Sequence, residues 1–208
     1  WVSWSLSMVT GEEAGGRGEL DERAEQLVRT GDHVAAATLV IETLGPELLG
    51  YLWVAVDRWG DADELFSAVC ERIWRGLPSF RFDSSLRTWA FVIARNRVKT
   101  GLDRAKRRAP EPPLEGQLAA LVAAVHSTTQ IHLRSDTKVR LERLREALEP
   151  DDRQLLVLRV DRELPWRDIA EVMADGDDDL ERVAARLRKR FERVKLRLRE
   201  QLLAERSE

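Results

Sequence analysis

The chain has 208 residues, of which 43 % are hydrophobic and 34 % charged, with a formal net charge of −3. This composition is typical of a globular chain with a highly charged surface, and it excludes a general polycation, so any nucleic-acid site has to be local. The single cysteine, Cys70, excludes a disulfide framework, and the three histidines show no ligand spacing, so we predict no metal and no cofactor. No apolar run approaches the roughly 18 residues needed to span a bilayer, so we expect no membrane insertion and a cytoplasmic location.

The first 18 residues are predicted to lie outside the folded part of the chain. Residues 8–18 are rich in Gly and Glu, a composition typical of disorder. Residues 1–7 lack the charged start of a signal peptide, and Met8 follows them directly. We therefore expect residues 1–7 to lie upstream of the native start or to have been added.

Helical patterns dominate the remainder, and no alternating strand run with a hairpin turn is present. The spacing predicts helices over 19–30 and 33–44, and a new helix that starts with Pro46 at its N1 position. A further helix is predicted to begin at Asp61 and to run through Leu77. The apolar stripe of this last helix is a core face, and its polar face is by default exposed to solvent. We predict an all-α protein.

The segment from Pro78 to Arg108 changes character along its length. Residues 78–85 are rich in turn formers, and Ser84 or Ser85 is a plausible N-cap for the helix that follows. That helix begins apolar and ends strongly cationic, with Asp103 as its only acidic residue. Such a pattern suits a helix that docks on a core and directs its far end at phosphate, although cations also complement a helix C-terminus.

A proline-rich break then separates two halves. Residues 109–135 are predicted to be a linker that contains a short apolar stretch, and residues 136–208 are helical again. In this half, Pro150 starts a helix, a short helix covers Leu164–Met173, and a long basic helix runs from about Leu180 to Glu205. Two short helices before a basic helix are typical of a helix-turn-helix.

The order of residues in both halves resembles bacterial sigma factors of the extracytoplasmic-function (ECF) type. The segment from Asp61 to Arg108 matches the family's region 2, including Asp61-Ala62, Trp74-Arg75 and Ile93-Ala94-Arg95-Asn96. The segment LEPDDRQLLVLRVDRELPWRDIAEVM resembles region 4 of the same family. The resemblance implies a region 2 domain over 19–108 and a region 4 domain over 136–208, in a non-enzymatic subunit that directs promoter recognition and initiation.

The resemblance also implies partners and contact residues. RNA polymerase core would be bound through its β′ clamp helices and β flap, promoter DNA would be the second partner, and an anti-sigma factor is a possible third. The core contacts would be Asp61, Asp63, Glu64, Ser67, Glu71 and Arg75. The minus-ten contacts would be Phe80, Arg81, Asp83, Ser84, Arg87, Arg95, Asn96, Arg97, Lys99, Arg107 and Arg108. The minus-thirty-five contacts would be Arg167, Arg182, Arg186, Lys189 and Arg190.

One departure from the family pattern concerns the start of the last helix. The preceding segment, ADGDDDLE, is longer than usual, and Ala184-Ala185 replaces a Lys-Ser pair. Aspartates repel phosphate and alanines cannot donate hydrogen bonds to base edges, so we expect minus-thirty-five recognition to be weakened, altered or helped by a partner. The alternative is a helix-turn-helix regulator or a sigma-like adaptor without initiation activity.

Overall fold

The computed structural model describes residues 18–56, 59–104, 116–131, 147–176 and 178–205, and every regular element in these ranges is helical. The helices are α1 (Glu19–Arg29), α2 (His33–Ala55), α3 (Trp59–Gly76), α4 (Leu86–Arg104), α5 (Gly116–Ile131), α6 (Pro150–Leu156), α7 (Trp166–Met173) and α8 (Leu180–Glu205). A 3₁₀ turn, Leu77–Ser79, follows α3, and a π-helical turn, Val157–Asp161, follows α6. The all-α prediction is confirmed. Within these ranges, no helix combines the length and apolarity that crossing a bilayer requires.

Helix α2 is the centre of the fold, with α1, α3, α4, α5 and α6 packed around it. Its last part is enclosed on every side, since residues 48–55 are all buried or half-buried, whereas Glu42, Thr43 and Pro46 before it are exposed. A helix enclosed in this way needs no polar face, which explains why the last part of α2 is apolar all round.

The predicted break at Pro46 is wrong, because α2 continues through this proline. Proline lacks the amide that would bond to the carbonyl four residues earlier, so it costs a helix about 3 kcal/mol. The neighbouring Leu44, Leu48 and Leu49 are buried, and their packing on the surrounding helices offsets that cost.

Helix α3 begins at Trp59, two residues before the predicted start at Asp61. Asp61 therefore lies in the first turn of the helix, where its charge favours the positive end of the macrodipole. The inner face of α3 is buried as predicted and includes Cys70, a free thiol whose pKa is raised to about 12 by burial.

The start of α4 is held by two polar side chains. Ser85 Oγ accepts a hydrogen bond from the Thr88 amide at 3.0 Å, as an N-cap residue does. Asp21 of α1 reaches across the fold and accepts a second bond from the Leu86 amide at 2.6 Å. The N-cap is therefore Ser85, and α1 anchors the helix on which most of the predicted DNA contacts lie.

Helix α5 lies inside the segment predicted as a linker, and it packs on α2 and α3 through Leu118, Leu121, Val122 and Val125. The approach to α2 is close, since a Cβ placed on Gly45 would lie 2.7 Å from Val125 Cγ1. We refer below to α1–α5 as the N-terminal region and to residues 147–205 as the C-terminal region.

In the C-terminal region, α6, α7 and α8 form a small helical unit. Trp166, at the start of α7, packs edge-on against Phe191 of α8 with ring centroids 5.5 Å apart. Asp179 precedes α8, and its carboxylate accepts hydrogen bonds from the amides of Glu181 and Arg182. The pair α7–α8 has the order and connection of a helix-turn-helix, with α8 in the position of the recognition helix.

Candidate nucleic-acid interface

An aromatic cluster lies between the 3₁₀ turn and the start of α4. Phe80 stacks on Trp89 at a centroid distance of 4.6 Å and a tilt of 31°, and it lies 4.8 Å from Phe82. Phe82 has a positive φ of 57°, an unusual backbone conformation for a bulky residue. Arg81 and Asp83 are exposed beside the cluster and lie 3.4 Å apart. The loop therefore places the half-buried rings of Phe80 and Trp89 beside exposed charged groups, a combination that suits an unstacked base.

Along α4, the predicted DNA contacts divide into exposed and covered side chains. Asn96 is exposed, whereas Arg95 is only 5 % exposed. Lys99 is partly exposed and donates to Asp175, which follows α7. Arg97 is half-buried. Arg107 and Arg108 lie outside the described residues.

Arg95 belongs to a buried polar cluster that joins the two regions. Gln154 Oε1 of α6 accepts hydrogen bonds from the Tyr51 hydroxyl and from Arg95 Nη1, both at 2.6 Å. Arg95 Nη2 donates to Asp151 Oδ1 at 3.0 Å. Tyr51 is fully buried, and burial raises its pKa, while the charge of Arg95 opposes part of that rise.

Two further contacts tie α4 to the C-terminal region. The Thr88 hydroxyl donates to Asp168 Oδ2 of α7 at 2.9 Å. Arg87 donates to Glu47 of α2 at 2.8 Å and to the Arg162 carbonyl at 2.7 Å. The Arg162 side chain lies over α2, where a Cβ on Gly50 would be 2.5 Å from Nη2, and burial lowers the pKa of this guanidinium.

The predicted polymerase contacts share the polar side of α3. Glu64 and Arg75 are exposed, and Glu71 pairs with Arg75 at 2.8 Å. Asp63 lies beside α5, with His126 Nε2 2.8 Å from its Oδ1. Asp61 and Ser67 are half-buried, and the Ser67 hydroxyl donates to the Asp63 carbonyl. The end of this surface at Arg75 is the more open one.

The predicted contacts of the C-terminal region also differ in their surroundings. Arg167 and Lys189 are exposed. Arg182 lies 3.3 Å from Asp179, and Arg186 lies 3.8 Å from Asp178. Arg190 turns to Asp152, a carboxylate whose side chain is 6 % exposed and is also approached by Arg197 at 3.4 Å. The acidic segment before α8 thus partly neutralises the first turns of this helix.

Sequence reasoning missed the residues that connect the regions: Tyr51, Gln154, Asp151, Asp168 and Asp175. In the sequence, Asp151 reads as a helix-capping residue, and α6 does place it in its first turn. The hydrogen bonds from α4 to the C-terminal region join residues 56 to 80 positions apart, and the bond between Tyr51 and Gln154 joins residues 103 positions apart, so no local pattern reports them.

The geometry defines a helical protein with a cationic helix, an aromatic loop and a helix-turn-helix, and no cluster of possible metal ligands among the described residues. The family model "Sigma-70 region 2" matches residues 40–108, which span most of α2, all of α3 and α4, and the aromatic loop. The RNA polymerase sigma-H factor of Pseudomonas aeruginosa is 28 % identical over 161 residues, covering 74 % of this chain and 83 % of that protein.

Residues 40–108 therefore match region 2 of the sigma-70 family, and the two matches together support function as an RNA polymerase sigma factor in transcription initiation. RNA polymerase core and promoter DNA are the partners that the sigma factor family implies.

Proposed function

We propose that this protein is a sigma factor of the ECF type, in which α4 and the aromatic loop bind the minus-ten element and α3 binds the polymerase core. The single observation that carries the proposal is that the segment matching region 2 contains both the aromatic loop and the cationic helix. A protein of this kind acts by binding and is not an enzyme, and its place of action is the bacterial cytoplasm.

The aromatic loop suits capture of an unpaired base. Phe80 and Trp89 present stacked rings, and stacking on an aromatic side chain contributes about 1–3 kcal/mol per base. The exposed Arg81, Asp83 and Asn96 supply polar groups for a base edge, and Ser84 lies half-buried in the same loop. A flipped base needs an aromatic ring to stack on and polar groups beside it, because its unpaired edge must be hydrogen-bonded again.

The polar side of α3 suits a basic partner surface. Glu64 is exposed on it and Glu71 lies in the same stripe, so the patch carries negative charge that can steer a basic helix pair into place. Nothing in the described residues assigns a surface to an anti-sigma factor, which stays a partner class implied by the resemblance.

Promoter recognition by the C-terminal region is proposed to be weak. Asp178 and Asp179 lie beside the arginines that would approach phosphate, and Ala184, which is buried, and Ala185 offer no donors to base edges. Minus-ten recognition would then supply most of the specificity.

The test adds the purified protein to bacterial core RNA polymerase and sequences the RNA 5′ ends made on genomic DNA. Discrete starts that share an upstream motif are expected, with stronger constraint at the minus-ten than at the minus-thirty-five position. Asn96→Ala should lower the yield of specific RNA about tenfold, whereas its control Thr100→Ala, one turn along α4, should not. Absence of binding to the core enzyme would contradict the proposal.

A further inference from the structure

Helix α8 has two cationic flanks whose surroundings differ. One flank carries four arginines that lie beside aspartates of the C-terminal region: Arg182, Arg186, Arg190 and Arg197. The other flank carries Arg188 and Lys195, which are seven residues apart and therefore share a helical face. Both of these cations lie over aromatic rings. We refer to the first as the paired flank and to the second as the aromatic flank.

Two guanidinium groups from separate elements meet at one tryptophan. Arg188 Cζ lies 5.8 Å from the ring centroid of Trp166, the half-buried first residue of α7. Arg159 lies in the π-helical turn after α6, and its Cζ is 5.1 Å from the same centroid. Arg159 Nη1 also donates to the Leu164 carbonyl at 2.9 Å, which fixes the direction of this side chain. The fold therefore holds two arginines close together at the start of α7.

An aromatic ring holds a cation without cancelling its charge. The ring attracts the cation through its quadrupole and has no net charge of its own, whereas a carboxylate neutralises it. Among the described residues, neither Arg159 nor Arg188 has a carboxylate as an ion-pair partner. Lys195 lies 5.2 Å from the Phe191 centroid but also pairs with Glu192 at 2.8 Å. The two arginines therefore carry the positive charge that is not neutralised on this side of α8.

The arginine pair lies where a helix-turn-helix meets the DNA backbone. In this motif the first helix crosses the backbone while the second enters the major groove. Trp166 is the first residue of the first helix, and Arg167 beside it in the chain is exposed. A guanidinium is weakly hydrated and can donate two parallel hydrogen bonds to a phosphate. The position and the chemistry of the pair both suit a phosphodiester.

We propose that Arg159 and Arg188 form a clamp for the phosphate backbone of duplex DNA, with Trp166 holding both guanidinium groups in place. The aromatic flank of α8, and not the paired flank, then faces the backbone. This inference rests on the proposed DNA-binding role of the helix-turn-helix. Phosphate contacts position a protein without reading the sequence, so the clamp supplies affinity and register where Ala184 and Ala185 read no base edge.

The first experiment compares two full-length variants with the same change in charge. R159M/R188M removes the clamp, and R182M/R186M removes two arginines of the paired flank. The probe is a short fluorescein-labelled duplex DNA of mixed sequence, and binding is followed by anisotropy over a range of salt concentrations. At low salt the first variant should bind at least about tenfold more weakly than the wild type, and its dependence of log K on log salt should be shallower by up to about two.

The second variant should bind within about threefold of the wild type, because Asp178 and Asp179 already lie beside its two arginines. Equal losses of affinity in the two variants would overturn the proposal, because net charge alone would then explain them. An unchanged salt dependence in R159M/R188M would overturn it as well.

A third variant separates phosphate binding from packing on the tryptophan. R159K/R188K keeps both charges and loses the planar fork, so it should recover the salt dependence of the wild type while binding several-fold more weakly. A salt dependence that stays as shallow as in R159M/R188M would overturn the proposal, since loss of packing would then be the cause. Methionine retains an apolar stem against the ring, and urea unfolding checks that each variant is folded.

Failure of the proposed function is seen separately, as an absence of specific RNA starts with the core enzyme. Specific starts together with an unchanged salt dependence in R159M/R188M would overturn the clamp alone.

Discussion

The two cationic helices of this protein are neutralised in different ways. In α4, Arg95 and Lys99 bond to aspartates more than 50 residues away in the chain, whereas in α8, Arg182 and Arg186 lie beside aspartates of the preceding segment. The long-range partners of α4 depend on the tertiary fold, whereas the local partners of α8 lie next to it in the chain. The comparison teaches that positive charge in a sequence does not measure the charge available to DNA.

Adjacent aspartates of α6 illustrate the same difference. Asp152 is buried and bonds to arginines of α8 within the C-terminal region, whereas Asp151 is half-exposed and bonds to Arg95 of the N-terminal region. The first is a structural residue of one region, whereas the second joins the two regions and also lies 3.7 Å from Arg190 of α8.

The largest expected effect is that of Asp152→Asn. The substitution leaves Arg190 and Arg197 without their shared carboxylate, so the free energy of unfolding should fall by about 2 kcal/mol. Asp151→Asn should lower it by less than about 1 kcal/mol, because that carboxylate is already partly in water. Urea unfolding followed by circular dichroism measures both, and equal losses would show that the two aspartates do not differ in role.

A smaller effect is expected at the start of α8. D178N/D179N frees Arg186 and Arg182 while the amide side chain introduced before the helix still caps it, so affinity for duplex DNA should rise a few-fold. The dependence of log K on log salt should steepen by up to about two, one for each cation released to phosphate. The gain should vanish when R182A/R186A is combined with it, and a gain that persists would place the effect elsewhere.

The smallest effect concerns the pH dependence of stability that arises from the contact between Lys99 and Asp175. The hydrogen bond from Lys99 lowers the pKa of Asp175 in the folded protein. A carboxyl with a depressed pKa contributes stability above its ordinary value of about 3.9, and this contribution is lost as the pH falls through the depressed value.

The free energy of unfolding should therefore be lower in Asp175→Asn than in the wild type near neutral pH, as measured by urea unfolding. That difference should shrink below about pH 4, where the unfolded wild-type chain binds a proton at Asp175 more readily than the folded chain does. A difference that stays constant down to about pH 3 would show that the bond from Lys99 does not stabilise the fold.

Much of this molecule follows from short-range patterns that the sequence displays directly. Helical periodicity predicts most of the helices. Ser85 and Asp179 are residue types that cap helices, so they mark where α4 and α8 start. The order of residues around Trp89 and Asn96 indicates the family. These features depend on neighbours within one or two turns, so a linear reading detects them.

Only the tertiary structure decided how far one of those helices extends and which side chains of the helices are covered. The packing around α2 carries that helix through Pro46, which local chemistry marks as a stop. The fold likewise brings Asp151, Asp168 and Asp175 to α4, and so determines which of its cations are covered. Burial and long-range pairing depend on atoms far apart in the chain, so the residues alone specify that α4 is cationic, while the arrangement of the two regions decides which of its cations are paired or buried.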